Sequence, residues 1–191
     1  MGTLRTLATD EPWSLVIADD PAFEPVSVTA GAGFESFYRG NRDRLARALS
    51  LTVGDIGLGT EAADEALARA YARWDKVGRY DDPAGWVYRV GLNWATSVLR
   101  RRQRAPHPHA ERGPADVPSV GEPAVAAALQ RLARKHRSVV VCRFYLGLTE
   151  AETAAALGIR PGTAKSRLHR ALRQLQTTLA HLDPNHPEAS R

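Results

Sequence analysis

The stretch LTEAETAAALGIRPGTAKSRLHRALR, residues 148–173, admits few folds. Thr149 followed three residues later by Glu152 is the pattern of a capping box, in which each side chain satisfies a backbone amide left unpaired at a helix start. A short helix is therefore predicted to open there and run through AETAAAL. Gly158 stops it, Ile159 gives the turn an apolar plug, and Pro161 restarts the chain in a first helical turn where its missing amide hydrogen is not needed. On the second helix Ala164, Leu168, Ala171, Leu172 and Leu175 fall on one side and are expected to face a core. Thr163, Ser166, Arg170 and Arg173 then point the opposite way, flanked by Lys165, Arg167 and His169. A helix-turn-helix delivers such a helix into the major groove, where Arg and Lys read guanine edges or grip phosphate and Ser or His make shorter contacts. The bland counterpart is a helical hairpin with a basic solvated face; the coincidence of tight turn, capping box and charge favours DNA.

Charge supports the same end of the chain. Residues 125–182 hold ten basic against two acidic residues and 34–104 thirteen against nine, whereas 1–33 hold one against five. Residues 105–124 and 183–191 are also net acidic, so the overall +5 is concentrated in the segment that contains the helix pair. Upstream of the pair, LQRLARKHRSVVVCRFYLG supplies supporting helices with Val139, Val140, Phe144 and Leu146 as expected core, and Arg134, Lys135, His136 and Arg137 as expected phosphate contacts. The single cysteine, Cys142, lies in an apolar run and is expected to pack in a core.

Residues 105–124 hold five of the twelve prolines and almost no large apolar side chain, which reads as a linker between two helix-rich blocks. Its His107 and His109 have no carboxylate or thiol beside them and read as linker residues, so no metal or cofactor is expected. The block 34–104 has helical periodicity: Phe34, Phe37, Tyr38, Leu45, Leu49 and Leu51, then a Gly-rich break, then a helix with Thr60 as expected N-cap and Ala63, Leu67, Ala70, Tyr71 and Trp74 as its apolar stripe. A loop leads to Pro83, which opens a third helix ending in a basic run. The fold class is all-α, two small helical domains joined by a Pro-rich linker. Residues 1–33 form an expected acidic, mostly disordered tail, and 183–191 a C-terminal tail. No run of about eighteen apolar residues occurs, and Asp10 and Glu11 stand where a secretory signal would be apolar, so a cytoplasmic location is expected.

With both blocks placed, the chain resembles the extracytoplasmic-function sigma factors of bacterial RNA polymerase over about residues 34–104 and 125–180. LGLTEAETAAALGIRPGTAKSRLHRALRQL is similar to the family's domain 4, which reads the minus-35 promoter element, and GTAKSRLHRA is its most specific part. The resemblance implies that Lys165, Ser166, His169 and Arg170, with Thr163, meet DNA in the groove and that Arg167 and Arg173 meet phosphate. WVYRVGLNWATSVLRRR resembles the family's domain 2 helix that opens and reads the minus-10 element. By that likeness Trp86, Tyr88, Arg89 and Asn93, with Lys76 and Arg79 of the preceding loop, handle the unstacked strand through stacking, base-edge bonding and charge neutralisation. Trp86 and Tyr88 fit a helix core equally well. The helix around Glu61, Asp64, Glu65 and Arg69 corresponds to the family's grip on the clamp helices of the largest polymerase subunit. There the family usually shows an Asp, a Gln three on and a Phe three further, where this chain has Glu61, Asp64 and Leu67.

The resemblance implies a bacterial, nucleoid-associated initiation factor without chemistry of its own, with core RNA polymerase (clamp helices and flap), promoter DNA and an anti-sigma factor as partners. A DNA-binding regulator that works without polymerase is the alternative, and the first block discriminates, since a regulator needs a ligand or dimer domain there. No nucleophile paired with a base, metal cluster or phosphate-binding Gly loop supports an enzyme.

Overall fold

The computed structural model describes residues 28–104 and 123–179. The tail up to residue 27, most of the Pro-rich segment with His107 and His109, and the C-terminal residues from 180 lie outside the described residues. All regular structure described is helical. The first region comprises α1 (Val28–Val53), α2 (Ile56–Tyr71), a single turn α3 (Trp74–Val77) and α4 (Pro83–Arg104). The second comprises α5 (Pro123–Arg131), α6 (Arg134–Val140) running into a π-helical turn (Val141–Tyr145), then α7 (Glu150–Leu157) and α8 (Pro161–Leu179).

α1, α2 and α4 pack mutually as a three-helix layer. α1 starts upstream of Phe34, because extending an existing helix through small residues costs far less than nucleating one. α2 begins at Ile56 and not at Thr60: the Asp55 carboxylate accepts the Leu58 amide at 2.8 Å, so capping happens five residues earlier and Thr60 lies inside the helix. Of the three glycines in the expected break, Gly54 stays in the turn with φ 83° while Gly57 and Gly59 belong to α2, and a Cβ on Gly59 would sit 2.3 Å from the Ser50 amide nitrogen of α1. Glycine here lets two helix backbones touch, and Ala48, Ala62, Ala63, Ala66 and Ala70 continue the close approach. Leu45, Leu49, Leu51, Leu58 and Leu67 fill the remaining core, while Tyr71, expected in the apolar stripe, is 46% exposed at its C-terminal end.

The second region is built on α8, against which α5, α6 and α7 all pack. Val139, Val140 and Leu146 are buried as expected, but Phe144 is 65% exposed. The cause is the π turn: the Leu146 amide bonds to the Val141 carbonyl at 2.9 Å, which inserts one residue into the helical repeat and turns Phe144 outward while Val141 and Cys142 stay in the core. The thiol of Cys142 is buried, and burial pushes its pKa up to about 12.

The two regions share one hydrophobic core: Leu45, Leu49, Val87, Tyr88 and their neighbours are continuous with Val141, Cys142, Leu146, Leu148 and Ala156. A smaller cluster of Leu132, Val140 and Ala171 holds α8 to α5 and α6.

Candidate nucleic-acid interface

The helix pair forms as its local chemistry dictates. Thr149 Oγ1 accepts the Glu152 amide at 3.2 Å and Glu152 Oε2 accepts the Thr149 amide at 2.7 Å, closing the capping box. The Thr149 amide, and then the Thr149 hydroxyl, hold the Glu152 carboxyl below its ordinary pKa. Gly158 ends α7 in the left-handed conformation with φ 62°, which an L side chain resists. Arg143 donates to the Leu148 carbonyl and ties the turn that leads into α7.

Ala164 and Ala171 are buried and Leu168 and Leu175 half-buried, which fixes the roll of α8. Leu172 is 41% exposed, a departure from the expected stripe. At about 100° per residue it lies roughly 80° from the Ala164 line, at the edge of the packed face. Lys165, Ser166, His169, Arg170 and Arg173 are exposed, and Thr163 and Arg167 half-buried. Ser166 Oγ donates to the Thr163 carbonyl at 3.1 Å, so its hydroxyl hydrogen is turned back onto its own helix. The result is one basic, accessible face along the helix, with Arg170, Arg173, Gln174 and Thr177 lining a shallow groove.

Beneath that face lies His136, half-buried on α6. Burial, then the charges of Lys135, Arg170 and Arg167, lowers its pKa, so the imidazole stays neutral near neutral pH. Arg137, expected on phosphate, is instead buried: it donates to the carbonyls of Thr52, Leu132 and Gln130 and to Gln130 Oε1. Its two terminal nitrogens reach four acceptors while its Nε, buried, has no partner, so the guanidinium is a packing element, and the apolar residues that follow it in the sequence are the available sign.

On α4 the expected strand-reading residues divide. Trp86, Arg89 and Asn93 share one face, and Trp86 stands beside Tyr80 of the preceding loop with ring centres 6.5 Å apart. Lys76, Arg79 and Asn93 are exposed, and Trp86 and Arg89 half-buried. Tyr88 points to the opposite side, about 200° around the helix from Trp86. It is 0% exposed, its hydroxyl 2.7 Å from Thr52 Oγ1, and burial raises its pKa well above the ordinary value. Helical spacing alone separates Tyr88 from the other three. Asp82 caps α4 by accepting the Gly85 amide at 2.8 Å, and Arg100, Arg101, Arg102 and Arg104 crowd the C-terminal end, where a helix dipole favours cations.

On α2, Glu61 and Asp64 are exposed and Glu65 and Arg69 half-buried, the last two paired at 2.8 Å. Asp64 is held at 3.1 Å by Arg42 of α1, whose own pKa is raised by that contact. Leu67 is fully buried and floors a groove walled by Phe34, Tyr38, Arg42, Asp64 and Tyr71. Among the described residues no group of three or more His, Cys, Asp or Glu is placed to hold a metal ion, and no helix is long and apolar enough to cross a membrane.

Residues 123–175 match the family Sigma-70, region 4. The chain is 36% identical over 155 residues to an RNA polymerase sigma-E factor of Streptomyces avermitilis, covering 78% of this chain and 87% of that protein. It is 33% identical over 146 residues to the ECF RNA polymerase sigma factor SigL of Mycobacterium tuberculosis, covering 71% of this chain and 81% of that one. In fold it is similar to the sigma factor RpoE of Bartonella quintana, solved in complex with the anti-sigma factor NepR, with a TM-score of 0.62 at 23% identity over 76% of this chain and 96% of that one. It is also similar to CnrH, solved in complex with the cytosolic domain of CnrY, with a TM-score of 0.55 at 20% identity over 79% and 92% of the two chains.

Proposed function

The chain belongs to the extracytoplasmic-function group of sigma-70 family RNA polymerase sigma factors, and we propose that it directs promoter-specific initiation by reading a duplex minus-35 element with α8 and a melted minus-10 strand with α4 and its preceding loop. Sigma factors are initiation factors and not enzymes; polymerase performs the catalysis. In this reading residues 34–104 act as domain 2, 105–124 as linker and 125–182 as domain 4.

The observation that carries the proposal is the roll of α8. Buried alanines and half-buried leucines on one side, packed on α5, α6 and α7, leave Lys165, His169, Arg170 and Arg173 exposed on the other, just after a capped joint. Such a face suits guanine edges and phosphates. For the strand, Trp86 and Tyr80 offer ring faces, Asn93 a base-edge donor and acceptor, and Lys76, Arg79 and Arg89 positive charge. Glu61, Asp64, Glu65 and Arg69 on α2 present three carboxylates and one guanidinium to the polymerase clamp, with the flap as the second contact and residues 34–104 sufficient for binding. An anti-sigma protein is a further expected partner, since the RpoE relative was solved with one.

Reconstitution with core polymerase on a promoter library tests the function as a whole, with selective transcription as the expected outcome. Asn93→Ala tests the strand-reading part, because it removes a base-edge contact and little charge. Its holoenzyme should still occupy promoter DNA yet show weaker permanganate reactivity at minus-10 thymines, and a pre-melted bubble should restore much of the loss. Normal opening on duplex DNA, with an unchanged melting transition, removes Asn93 from the site.

A further inference from the structure

Between α1 and α2 a groove of about 320 Å³ opens on the surface of the first region. Leu67, fully buried, is its floor, Phe34, Tyr38 and Tyr71 are its apolar walls, and the ion pair of Arg42 with Asp64 completes the lining. The Phe34 ring centre lies 5.0 Å from that of Tyr71, 5.3 Å from Trp74 and 5.9 Å from Tyr38, so the walls are one contiguous aromatic surface. Tyr38 is 39% and Tyr71 46% exposed. A single exposed ring needs no account, but two of them around a buried leucine form a concave apolar site. None of the residues assigned to DNA lines it.

Outside the described residues, the strongest apolar run of the sequence is WSLVIA, residues 13–18, and it is tethered beside this groove. Ala18 precedes Val28, the first residue of α1, by ten positions, a reach of about 35 Å when extended, at about 3.5 Å per residue. Phe34 lies about 9 Å and Arg42 about 21 Å along α1 from Val28, at about 1.5 Å per residue. The run can therefore double back over any part of the groove. Charge favours the same path. The connecting residues DDPAFEPVS, 19–27, carry Asp19, Asp20 and Glu24 and no cation, whereas α1 carries Arg39, Arg42, Arg44 and Arg47 against Glu35 and Asp43. So short a tether also sets an effective concentration of about 1 mM, at which a contact of about 100 μM affinity is formed about nine-tenths of the time.

We propose that the groove between α1 and α2 is the docking site of the chain's own segment 13–18, with Trp13 and Ile17 among the aromatic walls and the acids of residues 19–24 beside the α1 arginines. Because Asp64 belongs to the groove, the seated segment covers part of the α2 face read above as the polymerase contact, and polymerase displaces it. This consequence rests on that reading; the docking does not.

The full chain is treated with trace chymotrypsin and cleavage after Trp13 is followed by mass spectrometry, since cleavage tracks the fraction of time the segment is unseated. Ile17→Asp weakens docking from the segment side and alters no described residue, and Tyr71→Glu weakens it from the groove side. Both should speed cleavage about tenfold, with the melting transition of the Ile17→Asp chain unchanged. Phe144→Ser, which removes the most exposed large apolar side chain among the described residues, should leave the rate as it is. With Tyr71 replaced by the photoreactive p-benzoylphenylalanine, crosslinks should reach residues 13–18 of the same chain at every protein concentration. Equal cleavage rates in the unaltered and Ile17→Asp chains overturn the proposal, as does release by Phe144→Ser and not by Tyr71→Glu. Crosslinks that join two chains assign the groove to a second copy, and an absence of crosslinks to the segment assigns it to another partner; either overturns the proposal. Ile17→Asp should also bind core polymerase about tenfold tighter. If cleavage and crosslinking are as expected and polymerase affinity is unchanged, the docking stands and the assignment of this α2 face to the clamp fails.

Discussion

α8 and α4 both carry residues assigned to DNA, but they present them under opposite conditions. None of the seven assigned residues on α8 is buried, and its roll is set by Ala164 and Ala171 within its own region. Of the six assigned to the minus-10 strand, Tyr88 is core and Arg89 is bonded to the other region. A recognition helix at the end of a tight joint can devote one face to packing and the other to a ligand. A helix central to a bundle is packed on several sides, so its ligand face is narrow and adjoins residues on which folding depends. Loss of function on α4 therefore has two origins that must be separated, whereas on α8 binding dominates.

The largest expected effect separates those origins. Tyr88→Ala removes a fully buried ring and the bond to Thr52, and should cost about 3–5 kcal/mol of stability, visible in denaturant melts. Trp86→Ala, two residues away and half-buried, should cost clearly less stability while reducing open-complex formation more than its stability loss explains. Equal melting losses at the two positions would erase the distinction between the two faces of α4.

Next come the arginines of α8. Arg170→Ala should relax discrimination at one minus-35 position by about 1–3 kcal/mol with little change in melting. Arg173→Ala should weaken binding evenly across sequences and reduce the salt-dependence slope by about 1. A base-substitution profile left unchanged by Arg170→Ala would move the reading residue elsewhere on the helix.

The smallest effect concerns the support beneath α8. Burial and the nearby Lys135, Arg170 and Arg167 lower the pKa of His136 in the folded chain below its ordinary 6.5, so on acidification the unfolded chain takes up the proton first. The stability this neutral imidazole contributes is complete above the ordinary value and declines as pH falls through it toward the lowered one. Melting temperature should fall between about pH 7.5 and about pH 5.5, and fall less in His136→Gln. Parallel declines in the two proteins would show that His136 titrates alike folded and unfolded.

Local chemistry was legible in the sequence wherever a few adjacent residues decide the outcome. The Thr149 and Glu152 box, the stop at Gly158, the restart at Pro161 and the all-helical class are of this kind, because caps and periodicity are satisfied within one or two turns. The α2 start is not legible because Asp55 caps it and Gly59, a breaker by residue type, is a contact with Ser50 of another helix. Phe144 leaves the core that its sequence spacing predicts because one inserted residue in the π turn shifts which side chains face inward. Arg137 and Tyr88 look like ligand-binding residue types, and only the approach of Thr52, Gln130 and Leu132 to the one and Thr52 and Cys142 to the other makes them core. The sequence by itself thus determined the helices, the joint and the basic face of α8, since these rest on interactions between residues close in the chain. Tertiary structure alone decided which face of α4 is open and that the two regions share a core, because burial depends on partners, such as Leu51 and Gln130, that lie far apart in sequence.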